Sequence, residues 1–273
     1  MHYALQRKSL QDAMPHQPGP TQASTWTVHA DHVSLVRTPV PSQVVRVAAL
    51  PAAIEIDLAR CALIVVDMQN DFCHAEGWFG GKGIDVATLR KPIAPIVALA
   101  AGLRAARGTV VWLNWGIRAD RANLPPGVLY RGKREADAVG YGETSRAGRG
   151  PALVQGTWGA ALVDELRADP RDRIVHKHRL SGFWDSELDS LLRQAGITTL
   201  LFAGINTDRC VFSTLQDAGF LGYDCVLLED ACGTPSPPYV TDAILFLVRQ
   251  LHGFTATTAD LLASLSHSSK ESS

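Results

Sequence analysis

Thr199-Leu200-Leu201-Phe202-Ala203-Gly204-Ile205-Asn206-Thr207-Asp208-Arg209-Cys210-Val211-Phe212 runs from an apolar strand through a glycine turn into a segment with helical spacing at Val211, Leu215 and Ala218. Such a run places Cys210 in the first turn of a helix at the end of a buried strand. Unpaired N–H groups and the helix dipole favour a thiolate there, and the thiolate is the nucleophilic form. A lone cysteine is more often a small buried apolar residue, so the rest of the chain has to decide.

Outward from that run, short apolar stretches alternate with helical ones. Strands are expected at 62–67, 109–114, 173–177, 199–203, 224–228 and 253–257. Their apolar runs are continuous rather than alternating, which fits strands covered on both faces of a parallel sheet. Between them, Pro92 to Arg107, Asp185 to Ala195 and Asp242 to Leu251 carry one-sided apolar patterns, and Gly108 and Gly196 close the first two. The expectation is an α/β fold, a Rossmann-like doubly wound sheet of about six parallel strands with helices on both faces.

The chain has 273 residues, 46% hydrophobic and 19% charged, with net charge -1. That is enough apolar material for one sizeable core, and the charge balance gives no reason to expect a nucleic-acid partner. The sequence shows no apolar run of the ~20 residues a membrane span needs. Five scattered cysteines lack CxxC or metal-finger spacing, and the first residues lack an apolar signal core, so a reduced, cytoplasmic protein is expected. Residues 1–48, rich in Pro, Gln, Ser and Thr, read as an extended arm with its first 20 residues mobile. Residues 49–265 read as the domain and 266–273 as a flexible Ser-rich tail. The Gly-, Arg- and Pro-rich residues 116–157 interrupt the alternation and read as a lid-like functional loop.

Ligands of doubly wound sheets sit at the carboxyl ends of the strands. Asp67 ends the first strand, Lys177 the third, and Cys210 follows the fourth. The three residues have complementary chemistry. A carboxylate can take the thiol proton and return it to a leaving amine. An ammonium steadies both anions, and N–H groups at the helix start can hold an oxyanion. Taken singly, the Asp is a turn former and the Lys a solvated charge; together they make acyl transfer through a thioester.

Three stretches then resemble the isochorismatase-like cysteine hydrolases: Ala62-Leu63-Ile64-Val65-Val66-Asp67-Met68-Gln69-Asn70-Asp71-Phe72, His176-Lys177-His178-Arg179-Leu180-Ser181-Gly182-Phe183 and Gly204-Ile205-Asn206-Thr207-Asp208-Arg209-Cys210-Val211. The resemblance implies a Rossmann-like fold and a catalytic triad of Asp67, Lys177 and Cys210. It also implies a non-proline cis peptide between Ile205 and Asn206, and an oxyanion hole from the backbone N–H groups of Asn206 and Cys210. Asn206 stands where family members commonly carry a small residue such as Ala, which adds a side chain to the site.

The lysine segment resembles ureidoacrylate amidohydrolases and their N-carbamoyl- and biuret-cleaving relatives. This implies a small-molecule amide or ureide substrate, ammonia release, no cofactor, and a homodimer or homotetramer. Isochorismatases that cleave vinyl ethers generally lack this cysteine, and nicotinamidases carry an Asp-x-His…His metal site. Here only His74 follows the first motif, so no metal is expected. Vinyl-ether hydrolysis, nicotinamidase-like cleavage of aromatic amides and a catalytically idle binding scaffold are the rival readings. Position along the chain makes Asn70, Phe72, Asn114, Trp115, Arg179 and Phe183 candidates for substrate binding. His176 and His178 flank Lys177 with strand alternation and read as structural.

Overall fold

The computed structural model describes Gln17 and residues 24–268. Apart from Gln17, the first 20 residues, expected to be mobile, lie outside it, as do residues 269–273 of the tail. Two hairpins open the described chain. β1 (Thr27–Val28) pairs antiparallel with β2 (Val33–Ser34), and β3 (Val44–Val47) with β4 (Ile54–Asp57). Alternation along β3 buries Val45 and Val47 and turns Val44 and Arg46 outward. The sequence reading begins the domain at residue 49, but β3 already supplies the core. Its period-two pattern is only four residues long and follows a Pro- and Ser-containing stretch, which hides it.

β5 (Cys61–Val66) is buried at every position. After it come α1 (Asn70–Cys73), α2 (Trp78–Gly81), α3 (Val86–Arg90) and α4 (Ile93–Ala105). β6 (Thr109–Trp115), α5 (Pro126–Gly132), β7 (Arg173–Lys177), α6 (Leu188–Gln194) and β8 (Thr199–Ile205) form the middle of the chain. The last third holds α7 (Phe212–Phe220), β9 (Asp224–Gly233), α8 (Pro238–Leu247), β10 (Phe254–Ala256) and α9 (Thr258–Ser268). The helix therefore continues into the Ser-rich tail as far as Ser268; Leu261 is buried and Ser264 donates its hydroxyl to the Leu261 carbonyl at 2.7 Å.

Six strands form one parallel sheet in the order β10-β9-β8-β5-β6-β7. The chain lays β6 and β7 outward on one side of β5, then returns to lay β8, β9 and β10 on the other. With right-handed crossovers, that reversal puts the connecting helices on opposite faces. It also opens a crevice where β5 and β8 part at their carboxyl ends, the place where such sheets take ligands. Gly204 makes the close approach of β8 to β5 possible. Its φ is +110°, and a Cβ there would lie 2.2 Å from the Val66 carbonyl oxygen.

Residues Val86–Ala105 are long and apolar enough to cross a bilayer by length and composition, which the sequence reading overlooked. In the fold Ile96, Leu99, Ala100 and Leu103 of this stretch are buried, and α9 packs against α4. It is a core helix.

Candidate active site

Asp67 is the first residue past β5 and adopts a left-handed conformation with φ +53°. Its N–H donates to the Leu113 carbonyl at 2.9 Å, which fixes the turn against β6. Lys177 ends β7, in register with Trp115 of β6. Its side chain crosses the end of β6, with Nζ 4.3 Å from the centroid of the Trp115 ring, and donates to Asp67 Oδ2 at 2.8 Å. A second bond runs from Nζ to the Arg179 carbonyl at 3.3 Å. Lys177 is 0% exposed and Asp67 1%, so this is a fully buried ion pair.

Cys210 lies in a single π turn, Thr207–Val211, that feeds α7. The peptide between Ile205 and Asn206 is cis, as the resemblance implied. The Asn206 carbonyl accepts the N–H groups of Arg209 and Val211 and so ties the turn together. Thr214, which the sequence reading did not assign, fixes the nucleophile's backbone from below. Its hydroxyl donates to the Cys210 carbonyl at 2.6 Å and accepts the Gly182 N–H at 3.1 Å, joining the lysine segment to the cysteine turn.

The electrostatics modify one expectation. Burial first, and then the Asp67 charge, push the Cys210 thiol up to about 12; Lys177 pulls the other way without prevailing. The helix start alone would favour a thiolate, but a sulfur sunk in the interior beside a carboxylate rests as a thiol. Asp67 is itself pushed above its ordinary 3.8, by burial, although Lys177 opposes the shift. For Lys177, burial acts against the ammonium, but Asp67 and Cys210 outweigh it and hold the pKa above the ordinary lysine range. The result is a charged lysine, a carboxylate made more basic than usual, and a protonated thiol coupled to both. Asp67 is the carboxylate to which that thiol is coupled.

Asp67 and Cys210 line a cavity of about 460 Å³, with Lys177 buried behind Asp67. Phe72 and Trp115 line it as expected, and so does Asn206. Asn70, Asn114, Arg179 and Phe183 do not. The Asn70 amide donates to the Trp158 carbonyl at 2.9 Å and holds the long loop. Asn114 precedes Trp115 on β6, so alternation turns it to the other face when Trp115 meets the cavity. Arg179 donates to the Asn123 carbonyl at 3.0 Å and pairs with Asp185 at 3.0 Å. Phe183 packs against Tyr223, with ring centroids 5.7 Å apart. His176 and His178 stay away from the cavity lining: Gly116 packs against His176, and His178 stands 3.8 Å from Asp185.

The cavity takes other residues from stretches without periodic pattern: Phe79 and Lys82 near α2, Arg131 and Arg134 at the end of α5, and Tyr141. Tyr141 stacks on Trp115 with centroids 5.6 Å apart, so the 116–157 segment does form one wall. Two buried side chains at the first motif hold that segment. Gln69 donates from Nε2 to the carbonyls of Trp115 and Ala160, both at 2.7 Å, and accepts the Trp115 N–H at 2.8 Å. Asp71 accepts the Trp78 N–H at 3.1 Å and the Leu153 N–H at 2.6 Å. His74 packs edge-on against Trp158, and among the described residues no cluster of three or more His, Cys, Asp or Glu side chains could hold a metal ion.

Two buried polar atoms of cavity-lining residues have no protein hydrogen-bond partner: Trp115 Nε1 and Asn206 Oδ1. Buried polar groups are normally paired. One donor and one acceptor are therefore left unpaired within the protein at the edge of the cavity.

Known proteins share this sequence pattern and fold. A model of the isochorismatase domain matches residues 61–260. A ureidoacrylate amidohydrolase, RutB, of Enterobacter sp. (strain 638) is 37% identical over 220 residues, covering 80% of this chain and 94% of that protein. Among solved structures, a cysteine hydrolase from Pseudomonas syringae pv. phaseolicola 1448A superposes with TM-score 0.66 at 24% identity, over 84% of this chain and 100% of that one. An N-carbamoylsarcosine amidase from Thermoplasma acidophilum gives TM-score 0.56 at 25% identity, over 73% of this chain and 96% of its own. The chain belongs to the isochorismatase family, as an isochorismatase-like cysteine hydrolase.

Proposed function

We propose that this enzyme hydrolyses a linear, non-peptide C–N bond of an amide or ureide through a thioester on Cys210, and releases ammonia. The observation that carries the reading is the buried Asp67–Lys177 pair, coupled to a protonated thiol on the wall of one cavity. The relatives whose names specify ureidoacrylate and N-carbamoylsarcosine support the same bond type.

In this scheme Asp67 takes the thiol proton as Sγ attacks the carbonyl carbon. Lys177 remains an ammonium and keeps Asp67 from being left as an unpaired buried anion. The oxyanion is held by the N–H groups of Asn206 and Cys210 at the head of the turn. Protonated Asp67 then gives its proton to the departing nitrogen, and ammonia leaves. Water attacks the thioester carbonyl, Asp67 accepts a water proton, and collapse of the second tetrahedral intermediate returns a thiol on Cys210. With a terminal ureide the acid released is a carbamic acid, which decomposes to an amine and carbon dioxide. No step is routed through a metal.

Ammonia release should be measured over ureidoacrylate, biuret, N-carbamoyl amino acids and nicotinamide. Turnover of a ureide or linear amide is expected. If none of these compounds releases ammonia, the proposal is wrong.

A further inference from the structure

We infer, resting on the C–N hydrolase reading above, that Arg131 and Arg134, with Lys82 and Arg209, form a carboxylate-recognition subsite that selects amides or ureides bearing an anionic group away from the scissile carbonyl. Four cationic side chains line the cavity beside the catalytic groups, and Asp67 is the lone carboxylate among the lining residues. Asp67 is already neutralised by Lys177. Arg131, Arg134 and Arg209 are exposed to solvent, so the cavity presents a net positive charge that an anionic ligand can meet.

The neighbouring pairings show which of these cations are available. Lys133, between the two arginines in sequence, is paired with Glu143 at 2.9 Å. Among the described residues no ion-pair partner is found for Arg131 or Arg134. Arg209 is partly engaged, donating to the Ser236 hydroxyl at 3.3 Å and standing 3.6 Å from Asp208. The Lys82 ammonium is spent on the Gly132 carbonyl at 2.6 Å and lies 4.1 Å from the centroid of the Trp78 ring, so it braces the end of α5 while adding its charge. Its pKa is lowered, by burial first and then by the Arg134 charge, with Glu135 and Glu143 opposing the shift.

Guanidinium groups bind carboxylates in a two-pronged geometry that ammonium groups lack. Two unpaired arginines at one cavity wall therefore favour a planar carboxylate over a point anion. An adjoining basin of about 640 Å³ shares Lys82, Arg131 and Arg134 and adds Arg146, with Glu135 the lone carboxylate in its lining. The positive field thus continues outward and would draw an anionic substrate inward.

The test is a binding comparison that does not depend on turnover. Cys210→Ala protein is titrated calorimetrically with N-carbamoyl-β-alanine and with its methyl ester, which differ in charge but keep the same ureide. The acid is expected to bind at least about tenfold tighter, the range of a charge-assisted hydrogen bond. That preference should collapse to less than about threefold when Arg131→Gln and Arg134→Gln are added. Raising salt should weaken the acid and spare the ester. Equal binding of acid and ester, no binding of the acid, or an acid preference that survives the double arginine change would overturn the inference. The hydrolase reading stands or falls separately, on whether the protein with Cys210 intact releases ammonia from a ligand that binds.

Discussion

Lys177 Nζ donates to Asp67 Oδ2 at 2.8 Å across the end of a strand that belongs to neither residue, and both side chains are sealed from solvent. β6 lies between β5 and β7, so its terminal Trp115 serves as the surface over which the ammonium passes. Breaking a buried pair by removing one partner leaves an uncompensated charge and costs about 3–5 kcal/mol. Lys177→Met should lose about that much stability and all measurable activity. Adding Asp67→Asn should restore most of the stability without restoring activity. Urea unfolding of the two single variants and the double variant measures this; an additive double variant would show that the pair is not coupled.

The pH dependence follows from the same geometry. Asp67 must be ionised to accept the thiol proton, and burial raises its pKa above the ordinary 3.8. The kcat/KM profile should therefore fall as the medium is acidified through that raised value, with the acid limb lying above pH 3.8. No descending limb is expected below the ordinary lysine value of 10.5, because Lys177 is held above it. The Cys210 thiol, pushed up to about 12, should react with iodoacetamide at a rate that climbs steadily through the alkaline range. Alkylation of the Cys210 peptide that levels off near neutral pH would show that the resting sulfur is a thiolate.

Asp71 governs the wall above the site. One carboxylate accepts N–H groups from Trp78 and Leu153, residues far apart in the chain, and a Cβ at Gly159 would lie 2.1 Å from Asp71 Oδ2. Asp71→Ala removes both bonds and orphans two backbone donors, at about 1–3 kcal/mol for each. The 116–157 segment should then become open to limited proteolysis, and KM should rise more than kcat falls. A variant as protease-resistant as the parent would mean that other contacts hold the wall.

The strands, and the placement of Asp67, Lys177 and Cys210 at the carboxyl ends of the sheet, were legible because each depends on one local rule. A continuous apolar run makes a two-faced strand, and the polar residue that ends it falls at the sheet edge. Asp67, Lys177 and Cys210 needed nothing more. The pocket walls were harder to read. Trp115 and Asn114 were both named, although a strand can turn only one of two successive residues to a given face. Asn70 and Arg179 look like ligand-binding side chains by type, yet they hold the Trp158 and Asn123 carbonyls. Lys82, Arg131, Arg134 and Tyr141 come from stretches whose place is set by long-range contacts such as those of Asp71 and Gln69. The spacing of arginines in the loop, Arg131 and Arg134 three apart, was the available signal.

Ammonia release by Cys210→Ala, on whichever amide or ureide the parent enzyme cleaves, tests the central chemistry most directly. With circular dichroism showing an intact fold, turnover should fall by at least about a thousandfold, as for a nucleophile that forms the covalent intermediate. Ammonia release within tenfold of the parent would contradict it.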